Sequence, residues 1–136
     1  MYNVFISHAW KYSEHYNKVV EWLNEAQSEG LLTWKNYSVP YHDPLIDPSA
    51  PVGNRKLKEL LCKQISPASK VLILSGMYAT YSDWIEYEIR TAANYGKYII
   101  GIKPWGQERI PSLVENTANI MVGWNKTSVI KAILNK

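Results

Sequence analysis

Val71-Leu72-Ile73-Leu74, Asp83-Trp84-Ile85-Glu86-Tyr87-Glu88-Ile89-Arg90-Thr91-Ala92-Ala93-Asn94 and Tyr98-Ile99-Ile100-Gly101-Ile102 follow one another in the chain, and their reading decides the fold. The two outer runs are short, apolar and suited to strands. The middle run repeats at helical spacing, with Gly96 as its stop just before the second strand. Strand, helix and strand in succession make a crossover unit, and such a unit joins parallel strands.

The same alternation extends outward on both sides. Toward the N-terminus, Tyr2 to Ile6 reads as strand, Ser13 to Glu29 as helix, Leu31 to Trp34 as strand and Arg55 to Gln64 as helix. Toward the C-terminus, Ser112 to Thr117 reads as a short helix, Ile120 to Val122 as strand and Lys126 to Leu134 as the closing helix. Tyr16, Val19, Val20 and Leu23 recur at helical spacing between Ser13 as a cap and Gly30 as a stop, and Leu57, Leu60 and Leu61 recur likewise. The rhythm predicts one domain over residues 1–136 with a flavodoxin-like, three-layer α/β fold and a five-stranded parallel sheet of order 2-1-3-4-5. In that order the crevice lies between the ends of strands one and three, so Ser7 to Tyr12 and Ser75 to Ser82 face each other.

Composition narrows the function classes. A chain of 136 residues with 46% hydrophobic content buries about two-thirds of its unfolded surface and needs no staples. The single Cys62 cannot form an internal disulfide and has no metal-ligand spacing around it, which fits a core filler in a reducing compartment. The start Met1-Tyr2-Asn3-Val4-Phe5 lacks a signal-peptide pattern and no run reaches transmembrane length, so a soluble, cytoplasmic protein is expected. A net charge of +3 from scattered Lys and Arg gives no footprint for nucleic acid or a membrane surface. Six Trp and ten Tyr suit both a core and a pocket that stacks on flat ligands. His15 and His42 have no metal spacing and read as surface residues. The long connection Ser38 to Asn54 carries Pro40, Pro44, Pro48 and Pro51 with Asp43 and Asp47, and reads as a lid, an assembly contact or a proline-stiffened surface loop.

The crevice lacks the marks of several users of this architecture. The third strand runs into Ser75 and Gly76 where a phospho-receiver needs an Asp, and Ser7-His8-Ala9-Trp10 is not a flavin phosphate loop. Neither G-x-G-x-x-G nor a Walker loop is present. What stands out is Glu88. At about 100° per residue, Trp84, Ile85, Ile89, Ala92 and Tyr95 form an apolar arc of the third helix, and Glu88 falls inside it. Glu86 falls on the opposite side, where a capping box with Asp83 and an i, i+4 pair with Arg90 account for it. A carboxylate turned toward an apolar face costs several kcal/mol unless it is partnered or used, so Glu88 is either a satisfied buried acid or a functional one.

Val4-Phe5-Ile6-Ser7-His8 resembles the first box of TIR domains, and Ser82-Asp83-Trp84 followed by Glu88 resembles their S-x-W-x-x-x-E helix. Ser75-Gly76-Met77-Tyr78, Gly101-Ile102-Lys103-Pro104-Trp105-Gly106 and Val122-Gly123-Trp124-Asn125 are similar to phrases in the bacterial TIR-like proteins of Thoeris antiphage systems. That resemblance spans nearly the whole chain. It implies an enzyme that cleaves the nicotinamide–ribose bond of NAD and makes a cyclic or modified ADP-ribose signal. NAD is then a substrate, with no cofactor or metal, and the diffusible nucleotide reaches a separate effector protein after a phage-derived trigger. Self-association is compatible with the family, although Ser38 to Asn54 does not match the usual stacking loop and Ile85 stands where many animal and plant TIR domains carry Cys.

The resemblance assigns catalysis to Glu88. Trp84, one turn earlier, is placed against nicotinamide or ribose, or in the core. Ser7, His8 and Trp10 follow strand one and are candidates for ribose, phosphate or base contacts, with a turn-forming His8 and a core Trp10 as the alternatives. Trp105 and Arg109, after strand four, are candidates for stacking and phosphate contact. The rival readings are a non-catalytic TIR-like adaptor that acts by protein contact and, more distantly, an enzyme similar to nucleoside deoxyribosyltransferases, which also use a Glu on a related fold.

Overall fold

The computed structural model describes residues 1–7, 13–38, 55–74, 78–103 and 112–134, with side chains 13, 55–58, 60 and 78–85 outside that description. Strands and helices alternate as β1 (Tyr2–Ser7), α1 (Ser13–Ser28), β2 (Trp34–Asn36), α2 (Arg55–Ile65), β3 (Lys70–Leu74), α3 (Tyr78–Asn94), β4 (Tyr98–Ile102), α4 (Ser112–Thr117), β5 (Ile120–Val122) and α5 (Lys126–Leu134). All strand pairs are parallel and the order is β2-β1-β3-β4-β5. This is the predicted topology. Helix α1 packs on α5, while α2 and α4 both pack on α3, so the helices cover the sheet on two faces.

Strand register fixes which side chains meet which helices. Ser7 pairs with Ile73, Ile73 with Gly101 and Gly101 with Met121, so these four positions form one row across the C-terminal end of the sheet. Because parallel partners share a face, Phe5, Val71 and Ile99, two residues back, share it too. A Cβ on Gly101 would overlap Met121 Sδ and lie 3.2 Å from Val114 of α4. The row therefore faces α3 and α4. Val71 to Leu74 and Ile99, Ile100 and Ile102 are all buried, which explains why these strands read as unbroken apolar runs rather than alternating ones.

Two helix ends form as their glycines predict. Gly30 has φ +77° and Gly96 has φ +67°, the left-handed backbone that favours glycine. Leu31 N–H donates to Ala26 O and Gly30 N–H to Gln27 O, and the same pair of bonds recurs at Lys97 to Ala92 and Gly96 to Ala93. Both are Schellman closures that satisfy the last carbonyls of the helix. At the other end of the chain, Asn125 Oδ1 accepts the Ser128 N–H at 2.8 Å and caps α5.

The structure corrects several local readings. The second strand is Trp34–Asn36, not Leu31 to Trp34, because Leu31 is spent closing α1 and Leu32 is buried as part of the connection. Apolar character there marks burial, not pairing. Helix α3 starts at Tyr78, five residues before the expected Asp83. The cap preference of Ser82 and Asp83 is worth only about 1 kcal/mol and is overridden when the preceding turn is itself helical. Asp83 is thus inside α3 rather than at its start, and Glu88 lies in the third turn rather than the second. Tyr95, placed in the apolar arc, lies beyond the helix end and is 49% exposed. Cys62 is half-buried rather than core, with Sγ 3.7 Å from Tyr87 Oη. His15, read as a surface residue, is half-buried with its ring 5.3 Å from that of Trp124 in an edge contact. His42 and residues 39–54 lie outside the described residues. Among the described residues, no helix is long and apolar enough to cross a membrane.

Candidate functional site

The site is built on the inward face of α3. Ile89 and Ala92 are fully buried, Thr91 is 8% exposed and Glu88 is 7% exposed, whereas Arg90 is exposed. On a 100° wheel, Glu88 stands between Ala92 and Ile89 on one side and Thr91 on the other, so its side chain leaves the helix at the middle of the buried face. Thr91 spends its hydroxyl on Tyr87 O at 2.7 Å. Glu88 Oε2 is enclosed and has no hydrogen-bond partner among the described residues.

The two adjacent glutamates therefore differ as the wheel predicts. Glu86 Oε1 accepts from Arg90 Nε and Arg90 Nη2, each at 2.9 Å, on the solvent side. No ion pair among the described residues involves Glu88, and burial pushes its carboxyl up to about 8 from an ordinary value of 4.5. The neutral acid dominates at pH 7. Since native proteins leave few buried polar atoms unpaired, this oxygen calls for an explanation other than stability.

Its height in the fold is also informative. Glu88 stands six residues before Asn94 at the helix end, about 9 Å of rise. Strand β4 climbs about 13 Å from Tyr98 to Ile102. Glu88 thus lies beside the C-terminal half of the strands, on the face that carries the Ser7–Ile73–Gly101–Met121 row.

Ser7 is 1% exposed and ends β1 at the switch point of the sheet. Its Oγ accepts the Leu74 N–H at 3.2 Å, so the hydroxyl links β1 to β3 where the ladder ends. On the other side of β1, Ser38 Oγ accepts the Ile6 N–H at 3.0 Å. Ser38 N–H donates to Asn36 Oδ1 at 2.8 Å, and Asn36 Nδ2 donates to Tyr16 Oη at 2.7 Å. Two serine hydroxyls thus hold the last turn-off of β1, one toward each neighbouring strand.

Of the predicted site residues, Glu88 and Ser7 are placed on one face near the strand ends. Trp84 lies on α3 one turn before Glu88, with its side chain outside the described residues. His8, Trp10, Trp105 and Arg109 lie outside the described residues altogether. The chain Tyr16–Asn36–Ser38 escaped sequence reading because no local pattern announces a bond between a helix tyrosine and a strand asparagine twenty positions apart.

The α/β fold described above is shared with solved structures. The chain is similar to a structure titled as the CMP N-glycosidase BcmB of Clostridium botulinum, with TM-score 0.60, 14% identity and coverage of 98% of this chain and 99% of that one. A search of curated proteins gives no match. The family is settled by a sequence model, "Thoeris protein ThsB, TIR-like domain", which matches residues 5–109. The chain belongs to that family of Thoeris TIR-like domains. The matched span runs from β1 past β4 and includes Ser7 and Glu88.

Proposed function

We propose that this protein cleaves the nicotinamide–ribose bond of NAD, with Glu88 as the catalytic carboxylate. The observation that carries the reading is the enclosed, unpartnered Oε2 of Glu88 on the sheet-facing side of α3. Membership of the Thoeris TIR-like family supports it, and the similar fold of a protein titled as a nucleotide N-glycosidase is compatible with it.

The chemistry suits a site with one carboxylate. Ordinary glycosidases use two, one of them an acid for the leaving oxygen. Nicotinamide leaves as a neutral amine from a ring that is already cationic, so the C1′–N bond breaks with both electrons passing to the ring nitrogen and no proton is needed. The ribosyl oxocarbenium left behind is stabilised by the ionised Glu88 in an apolar setting, where one charge has most effect. Capture by water releases ADP-ribose. Capture by the adenine or by a ribose hydroxyl gives a cyclic or modified ADP-ribose, the form suited to a diffusible signal that activates a separate effector protein in antiphage defence. Ser7, at the end of β1, offers its hydroxyl proton to a ribose or phosphate oxygen, and the enzyme works in the cytoplasm, where NAD is abundant.

The test is NAD consumption by the parent and by Glu88→Gln, with products read by mass spectrometry. Glu88→Gln keeps the shape and removes only the charge, so a loss on the order of 100-fold or more is expected, beside a melting temperature no lower than the parent's. Full activity in Glu88→Gln would end the assignment and leave a non-catalytic adaptor in its place.

A further inference from the structure

Ser38 stands in the sheet where a backbone carbonyl is due. Tyr2 N–H donates to Thr33 O and Tyr37 N–H to Val4 O, so by the alternation of a parallel ladder the next acceptor, for Ile6 N–H, is Tyr37 O. The acceptor found there is Ser38 Oγ, at 3.0 Å. Ile6 is fully buried and its N–H must be satisfied, which either group could do. The difference lies in what is left over. A carbonyl only accepts, whereas a hydroxyl that has accepted one bond still has a proton to give. The exchange therefore adds a donor beyond the last residue of β2, at the C-terminal edge of the sheet, and costs no buried bond.

That donor is held in a fixed orientation. Ser38 N–H donates to Asn36 Oδ1 at 2.8 Å, a turn closed by the side chain two residues back, and Asn36 Nδ2 donates to Tyr16 Oη at 2.7 Å. A backbone N–H can only donate, so the amide oxygen faces Ser38 and its nitrogen faces Tyr16. Tyr16 is buried in α1, which ties the amide to a packed helix. Asn36 is itself exposed and could spend both groups on water, so the two bonds add little net stability. What they supply is direction. On the other flank of β1, Ser7 Oγ accepts the Leu74 N–H. Neither serine hydroxyl donates to a partner among the described residues.

We propose that Ser38 is a phosphate-contacting residue: its hydroxyl, oriented by Asn36 and Tyr16, donates to a phosphate oxygen of the nucleotide, beside the proton offered by Ser7. Open α/β sheets bind ligands beyond the carboxyl ends of their strands, and these two hydroxyls flank the end of β1. The carbonyl-for-hydroxyl exchange decides which ligand group is meant. A ribose hydroxyl can donate to a carbonyl and needs no exchange. A phosphate oxygen only accepts, so a carbonyl in that place repels it, while a hydroxyl gives it a charge-assisted bond. The proposal rests on the NAD reading and adds to it a residue that holds the dinucleotide by its phosphates, with Asn36 as its positioning residue.

The test is calorimetry with ADP-ribose, which carries two phosphates, and with adenosine, which carries none, beside NAD turnover and melting curves. Ser38→Ala should weaken ADP-ribose binding about tenfold or more, leave adenosine binding at the parental value, and raise KM for NAD by more than it lowers kcat. Ser38→Thr keeps the hydroxyl and should restore binding. Because Ser38→Ala also removes the acceptor of a buried N–H, Asn36→Ala is the second variant: it keeps that acceptor, frees the Ser38 rotor, and should show the same phosphate-dependent loss at smaller size. If both alanine variants bind ADP-ribose as the parent does, or lose adenosine in equal measure, Ser38 serves the sheet alone and the proposal is overturned while NAD cleavage stands. A parent that binds ADP-ribose no more tightly than adenosine overturns it as well. If the parent shows the Ser38-dependent preference for ADP-ribose but does not cleave NAD, the phosphate contact stands and the NAD reading falls.

Discussion

Two places where this protein holds charge obey different rules. Where α5 meets α1, Lys126 Nζ is bonded to Glu25 at 3.1 Å and to Glu29, and all three side chains keep contact with water. Glu25 and Glu29 lie at the C-terminal end of α1 and Lys126 in the first turn of α5, each at the unfavourable end of its own helix dipole. Pairing across the two helices offsets both penalties, and the hydrogen bonds that Lys126 donates to Glu29 and Glu25 hold its ammonium above the ordinary lysine range. On the inward face of α3, Glu88 Oε2 has no hydrogen-bond partner among the described residues. A chain that compensates misplaced charges on its surface and leaves one uncompensated in its interior is carrying a cost there, which is the pattern expected of a functional group.

The comparison can be broken most decisively at Glu88. The folded state keeps the Glu88 proton up to about pH 8, whereas the unfolded chain releases it near 4.5. The unfolded state then binds fewer protons in that window, so stability falls as pH rises from about 4.5 to 8, by on the order of a few kcal/mol. Glu88→Gln should flatten that part of the curve and leave the variant more stable than the parent at pH 8, as measured by urea unfolding across the range. A parent whose stability is level from pH 5 to 8 would mean that Glu88 is partnered after all.

Next in size is Ser7→Ala, which leaves the buried Leu74 N–H without its acceptor and should cost about 1–3 kcal/mol while lowering NAD turnover. Alanine here with unchanged unfolding would show that the β1–β3 link at the strand ends carries no load. Glu86→Gln tests the outward side of the same helix. It removes an exposed i, i+4 pair worth a few tenths of a kcal/mol and should leave NAD cleavage at the parental rate, so a large loss of activity would collapse the contrast between the two glutamates. The smallest effect is expected at Lys126→Ala, whose stability difference from the parent should shrink in high salt as exposed charges are screened. A difference that persists in high salt would place that corner closer in kind to a buried pair.

How much of this could be read in advance depends on how local each feature is. The Tyr98–Ile102 and Ile120–Val122 strands and the α4 and α5 helices fall on their predicted residues, because each is bounded by nearby turn or cap signals. Strand β2 was displaced because Leu31 and Leu32 look like a strand by composition while serving a helix closure and the core. The start of α3 was displaced because a cap residue inside a continuing helix looks the same in sequence as one that begins it.

Glu88 illustrates the division most sharply. Its place in the apolar arc follows from a 100° step along a single helix, so sequence alone determined that this acid, and not Glu86, turns inward. That Oε2 finds no donor among the described residues, that Ser7 ends on the same face of the sheet, and that Tyr16, Asn36 and Ser38 brace the end of β1 were decided only by the tertiary structure. The same is true of Lys126, whose partners lie 101 and 97 positions away. Periodicity is a property of neighbours along the chain, whereas a partner, or the lack of one, is a property of what other elements bring within about 3 Å, and only the packed sheet and its two helical layers fix that.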